Sequence, residues 1–213
     1  MVKQFTFNHY SVNCYLVYDQ ESRKCAIIDP SAETNYEEAQ LTQFIEKNNL
    51  TPTAILLTHA HVDHIAGLRE ICNRYSLPVS MHPDGKPLLR QAEVYGDMMG
   101  FHVGKMDDLK VCELQDNDIL SVDDGNKIEC RHVPGHCPGS LCYVLHDEGM
   151  VITGDALFQG SIGRTDLPGG DYPTLITKLK SRILTLPDDY LVLPGHGPSS
   201  QIGKEKKYNS FLA

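Results

Sequence analysis

No stretch of this chain approaches the ~20 consecutive apolar residues needed to cross a bilayer, so no membrane span is expected. The first residues, Met1-Val2-Lys3-Gln4-Phe5-Thr6, lack the long apolar core of a secretory signal, and none is expected there. Positive charge is also short, with 19 Lys and Arg against 28 Asp and Glu and a formal charge of −9. As a whole the chain has no attraction for phosphate backbones or anionic lipid, so neither nucleic acid nor a membrane is an expected partner. The basic cluster Lys204-Glu205-Lys206-Lys207 reads as a solvated helix end. Seven cysteines form no CxxC pair and are odd in number, which suits buried or free thiols in a reducing cytoplasm better than a disulfide framework. Low-complexity linkers and near-identical repeats are missing too. What remains is an ordinary globular composition, 41% hydrophobic and 22% charged, over 213 residues. That length can bury a full core, and residues 1–213 are read as a single domain.

The hydrophobic pattern predicts strands over 2–7, 13–18 and 24–29, then a helix within 31–49 that turns Tyr36, Leu41, Phe44 and Ile45 to one side. A strand over 53–57, a helix over 65–75 and a strand over 78–81 follow. Residues 83–110 are ambiguous, because Gly96, Gly100 and Gly104 interrupt the helical pattern of 87–95, and a lid-like excursion is expected there. Strands return over 111–114, 127–133, 141–146 and 150–153. Helices over 172–184 and 199–208 flank a last strand over 190–193. The order gives two similar halves, each a mixed sheet with helices outside, in an α/β layered sandwich whose strand ends meet at one site.

Chemistry concentrates at those strand ends. Thr58-His59-Ala60-His61-Val62-Asp63-His64 packs three imidazoles and a carboxylate after the apolar run 54–57. Such donors suit zinc, iron or manganese. Three further motifs repeat the arrangement of an apolar strand, a glycine turn and a donor: Val133-Pro134-Gly135-His136, Val151-Ile152-Thr153-Gly154-Asp155 and Leu193-Pro194-Gly195-His196-Gly197-Pro198. Glycine lets the backbone turn sharply and set the donor at the strand end. His59, His61, Asp63, His64, His136, Asp155 and His196 are too many for one tetrahedral ion. They fit two divalent metal ions sharing a carboxylate, which together hold a hydroxide at neutral pH. A structural zinc would be closed by four ligands, usually including cysteine. Cys137 reads as a neighbour of the cluster.

The H-x-H-x-D-H motif with His136, Asp155 and His196 resembles the metallo-β-lactamase-fold hydrolases, and within them the compact bacterial glyoxalase II-like proteins. Gly135-His136-Cys137-Pro138-Gly139-Ser140, Gly154-Asp155-Ala156-Leu157-Phe158 and Gly163-Arg164-Thr165-Asp166 carry the rest of the likeness. The resemblance implies a four-layer αββα sandwich. It also implies two divalent ions, zinc foremost with iron or manganese as alternatives, one on His59, His61 and His136, the other on Asp63, His64 and His196, with Asp155 bridging. It further implies hydrolysis of a hydroxyacylglutathione-type thioester, a small-molecule substrate, by a metal-bridging hydroxide that Asp63 orients. Asp29, before Pro30, resembles the family aspartate that supports metal ligands; the alternative is a turn leading into the helix.

Glyoxalase II proper grips glutathione with an additional C-terminal helical region. Only about 17 residues follow His196 here, so no separate glutathione-binding domain is expected. Arg164 has two readings, a partner for a substrate carboxylate or an ion pair with Asp166 or Asp171. The main rival is a persulfide dioxygenase, which would hold one iron on His59, His136 and Asp155; lactone hydrolysis is a third reading. A β-lactamase is disfavoured by the missing secretion signal, a nuclease by the acidic charge, and a flavodiiron reductase by His61 where that group has Glu.

Overall fold

A computed structural model describes residues 1–122 and 127–212. One six-stranded sheet has the order β1 (Val2–Phe7), β2 (Val12–Tyr18), β3 (Lys24–Ile28), β4 (Thr51–Leu56), β5 (Val79–Met81) and β6 (Val111–Glu113). The other, in chain order, holds β7 (Ile119–Ser121), β8 (Lys127–His132), β9 (Leu141–Leu145), β10 (Met150–Gly154), β13 (Leu191–Pro194) and β14 (Ser200–Gln201). A ribbon of β11 (Leu157–Phe158) and β12 (Ser161–Ile162) stands apart.

The central strands are apolar on both faces because both faces are covered. In β2, Tyr15 and Val17 point between the sheets, while Cys14 and Leu16 point outward into a second core. In β9, Leu141, Tyr143 and Leu145 fill the inter-sheet layer, and Cys142 and Val144 face the opposite outer layer. Period-two alternation thus feeds three apolar layers, which need helices on both outer faces. The first sheet is covered by α1 (Asn35–Lys47), α2 (Leu68–Tyr75), α3 (Lys86–Arg90) and α4 (Ala92–Met99). The second is covered by α5 (Tyr172–Lys178), continued by a π turn over Leu179–Ile183, and by α6 (Ile202–Tyr208). This is the αββα sandwich of the metallo-β-lactamase fold.

Several local expectations are corrected. α1 starts at Asn35, where Thr34 and Glu37 form a reciprocal capping box. Leu41 and Ile45 are buried as the pattern requires, but Tyr36 in the first turn is 76% exposed. Residues 83–110 are packed rather than lid-like: Phe101, Val103 and Met106 are buried in the outer core of the first sheet. α4 runs through Gly96, where a Cβ would lie 2.7 Å from Val103 Cγ2, and ends at Gly100, whose φ of +84° is a left-handed cap. The closing helix is shorter than expected, because Ser200 and Gln201 pair with β13 before α6 begins.

Candidate metal centre

Strand direction assembles the site. β9 is antiparallel to both β8 and β10, and β13 is parallel to β10. β8, β10 and β13 therefore run the same way, and His136, Asp155 and His196 emerge at one sheet edge. In the first sheet β3 and β4 are parallel, so Asp29 and the 58–64 loop also leave a common edge. Buried tyrosines bolt the two sheets together beside it: Tyr143 donates to the Leu57 carbonyl at 2.6 Å and Tyr15 to the Pro194 carbonyl at 2.7 Å.

All seven anticipated donors meet there. The His59, His61 and His136 rings lie 4.6–5.0 Å apart with planes crossing at 82–86°. His136 Nε2 and His61 Nδ1 are 2.9 Å apart. Beside them, His196 Nε2 is 3.3 Å from Asp63 Oδ2 and 3.5 Å from Asp155 Oδ2, and His64 Nε2 is 3.2 Å from Asp155 Oδ1. Asp155 Oδ2 also lies 3.7 Å from His136 Nε2, so one carboxylate reaches both groups. Gly195 allows this approach: a Cβ there would stand 2.2 Å from Asp155 Oδ1.

A second layer of contacts sets each ring. Asp29 is 1% exposed. Its carboxylate accepts from the Thr58 backbone N–H at 2.7 Å and the Thr58 hydroxyl at 2.6 Å, and contacts His64 Nδ1 at 2.9 Å. Thr58 Oγ1 is in turn 3.0 Å from His59 Nδ1. Asp29 thus stands behind both rings, touching His64 directly and His59 through Thr58, from a left-handed backbone (φ +51°) that aspartate tolerates. Thr58 is a residue that sequence reasoning missed, although a hydroxyl between a buried strand and the histidine motif was a usable signal. His136 Nδ1 contacts the Arg164 carbonyl at 2.8 Å and His196 Nδ1 the Tyr10 carbonyl at 3.0 Å. These main-chain roles carry no side-chain signature. The Arg164 guanidinium instead grips Asp166 through two bonds of 2.7 and 2.8 Å at the surface.

Burial pushes His59 well below the ordinary imidazole value, His61 down to about 4, and His136 lower as well. These rings are neutral and ready to donate lone pairs. Burial opposes charge on His64 and His196 too, but there Asp155 and Asp63 outweigh it, lifting His64 well above its ordinary value and His196 to about 9. The same imidazoles hold Asp63 low and Asp155 well below the carboxylate range, against the upward push of burial. The two carboxylates thus draw positive charge into a buried space, and a metal entering it would displace protons.

The donor set fits such an ion. Among the described residues, His59 Nε2 is buried without a hydrogen-bond partner, and His64 Nε2 and Asp155 Oδ1 have only each other, at 3.2 Å. Leaving a buried polar atom unpaired costs about 1–3 kcal/mol, and a cation would satisfy all three. Ligands ~2.0–2.1 Å from one tetrahedral zinc stand roughly 3.3 Å apart, close to the 3.2–3.5 Å separations around His64 and His196. Cys137 lies beside the first three histidines, but burial pushes its thiol up to about 12 and its sulfur pairs with Ser140. A further pair, His82 and His132, stands outside the cluster with rings stacked 3.9 Å apart and 10° from parallel.

Residues 8–196 match the profile of the Metallo-beta-lactamase superfamily. The chain belongs to that superfamily. Similar members include the probable metallo-hydrolase YqgX of Bacillus subtilis, 38% identical over 94% of this chain and 92% of that protein. Hydroxyacylglutathione hydrolase GloC of Haemophilus influenzae is 36% identical over 95% of this chain and 93% of its own length. Among solved structures, the B3 metallo-beta-lactamase BLEG-1 superposes with a TM-score of 0.89 at 33% identity, covering 100% of both chains. TTHA1623, in a di-iron-bound form, gives 0.87 at 36% identity over 99% of this chain and 100% of that one. ETHE1 from Myxococcus xanthus gives 0.80 at 27% identity, over 99% and 83%. The chain is a metal-dependent hydrolase of the metallo-beta-lactamase superfamily, with His and Asp clusters suited to divalent metals. No helix among the described residues is long and apolar enough to cross a membrane.

Proposed function

We propose that this metallohydrolase cleaves small-molecule thioesters of the hydroxyacylglutathione type at a two-metal site. The observation that supports the reading most is the position of Asp155, whose Oδ2 lies 3.7 Å from His136 in one donor group and 3.5 Å from His196 in the other, while Oδ1 lies 3.2 Å from His64. His59, His61 and His136 would hold one ion, Asp63, His64 and His196 the other, and Asp155 both. Bound there, zinc or another divalent metal lowers the pKa of a coordinated water and neutralises charge developing on a carbonyl oxygen.

The chain's own groups do the rest. Asp63 lines the cavity above the cluster, and its carboxylate is held ionised by His64 and His196 against burial. It orients the attacking water and passes its proton on, being too weak a base to keep it. The water oxygen bonds to the carbonyl carbon, and the carbon–sulfur bond breaks with its electron pair on sulfur. The products are a carboxylate and a thiol, with one proton released. Asp29 and Thr58 keep the His59 and His64 rings turned inward throughout. The likeness to the Haemophilus hydroxyacylglutathione hydrolase supports the thioester class.

The test is metal analysis with three assays on one preparation: hydrolysis of S-lactoylglutathione, hydrolysis of a β-lactam, and oxygen uptake with glutathione persulfide. Two metals per chain with thioester hydrolysis is the expected result. One iron with oxygen uptake would replace the reading by the dioxygenase, and β-lactam turnover alone would replace it by the activity that BLEG-1 is named for.

A further inference from the structure

The cavity that opens on the donor cluster has one polar floor and one apolar wall. His61, Asp63, His136 and Asp155 form the floor. The wall is Leu88 from α3 with Ala92, Tyr95 and Met99 from α4, faced by Leu167 and Pro168. Spacings of three, four and seven put Ala92, Tyr95 and Met99 on one helix face. Packing of Phe101, Val103 and Met106 beneath holds that face in place. A second, more open groove beside Phe158, Gln159, Gly197 and Pro198 shares His136, Asp155 and Arg164 with the first. A substrate reacting along that shared line extends both ways.

Size and charge decide which end goes where. The cavity is about 200 Å³, against about 440 Å³ for the more open groove. A tripeptide thiol is the bulkier half of such a substrate, so the thiol side takes the groove. The cavity also exceeds the small remainder of a lactoyl group. Among the described residues Arg164 is the one Lys or Arg lining either space, and Asp166 occupies its guanidinium. The wall of Leu88, Ala92, Tyr95 and Met99 offers no charged partner to an acyl chain.

We infer that the site selects thioesters whose acyl group carries an apolar arm, aliphatic or aryl, longer than the remainder of a lactoyl group and seated against Leu88, Tyr95 and Met99. This rests on the thioester reading above. The test holds the thiol constant: acetyl, butanoyl, hexanoyl and phenylacetyl thioesters of N-acetylcysteamine, assayed with the metal-loaded protein. Each buried methylene is worth roughly fourfold, so with two to three of the four added methylenes covered hexanoyl should exceed acetyl in kcat/KM by about 30-fold, and phenylacetyl by a similar factor. Leu88→Gln and Met99→Gln, both at half-buried positions, should cut that ratio several-fold, with melting curves checking that each variant folds. Calorimetry on the metal-free protein with the S-hexyl and S-ethyl thioethers of N-acetylcysteamine gives a readout without turnover, and the hexyl compound should bind more tightly. A flat acyl series, or equal binding of the two thioethers, overturns the inference while leaving thioester hydrolysis standing. Failure to cleave any thioester removes the thioester reading and this inference with it.

Discussion

Two histidine clusters at neighbouring strand ends have opposite geometries. At the centre, the His59, His61 and His136 planes cross at 82–86° and their nitrogens converge. After β5 and at the end of β8, His82 and His132 stack at 10°, with Asp84 beside them. An imidazole binds a cation in its own plane, so rings that cross can share one ion and rings that lie parallel cannot without turning. Both clusters contain neutral, buried imidazole and a carboxylate. Donor count alone therefore does not mark a metal site; the crossing of the planes does, and it depends on what holds each ring from behind. Asp29, Thr58 and the Tyr10 and Arg164 carbonyls do so at the centre, whereas His82 and His132 stack on each other and His82 Nδ1 accepts from the Asp84 backbone N–H.

The hardest test of that contrast is Asp155→Ala. It removes the carboxylate both groups share and should abolish metal loading and reduce turnover by at least about 10³-fold, while His132→Ala leaves metal content unchanged by elemental analysis. Asp29→Asn should keep every donor but loosen the His64 ring, weakening metal affinity by about 10–100-fold in a chelator competition. The stacked pair should instead show itself in acid. Burial lowers His82, and burial with His82 alongside lowers His132 to about 4 from an ordinary 6.5, with Asp84, Asp116 and Lys178 also facing it. The unfolded chain takes up the His132 proton near pH 6.5 and the folded one only near 4, so the stability that rests on a neutral His132 is complete at neutral pH and lost as pH falls through that window. His132→Phe should recover roughly 1 kcal/mol at pH 4.5, discounted for partial exposure. For a chain of this size that is about 2–4 °C in Tm. The smallest effect concerns the rim: Asp166→Asn frees Arg164 and should lower KM for S-lactoylglutathione a few-fold with no change in melting temperature.

The sequence made the centre legible because its donors are rare residue types held at the ends of strands with unmistakable apolar runs. The inward faces of β2, β3 and β9 were readable for the same reason, since burial on both sides makes most of each strand apolar, with Asn13 the buried polar exception in β2. What escaped were contacts made by backbone or by distant partners. Arg164 advertised its guanidinium, yet its carbonyl is what meets His136. Gly96 looked like a breaker because nothing local reveals Val103 pressing on that turn. Tyr36 followed the helical period but falls in a first turn that has no neighbour to cover it. β11, β12 and β14 are two residues each, too short for any alternation to register.

The hold of Tyr10 on His196 has a consequence for how the protein is made. The two residues are 186 positions apart, and the Asn13 side chain also donates to the Pro194 and Gly197 carbonyls. A nascent chain can gather His59, His61 and His136 well before His196 exists. At ~5–20 residues per second the ribosome needs about 3–12 s to cover the stretch between His136 and His196. During that interval the N-terminal hairpin waits without its partner. The order of synthesis thus leaves His196 and its carbonyl anchor as the last part of the centre to take its place.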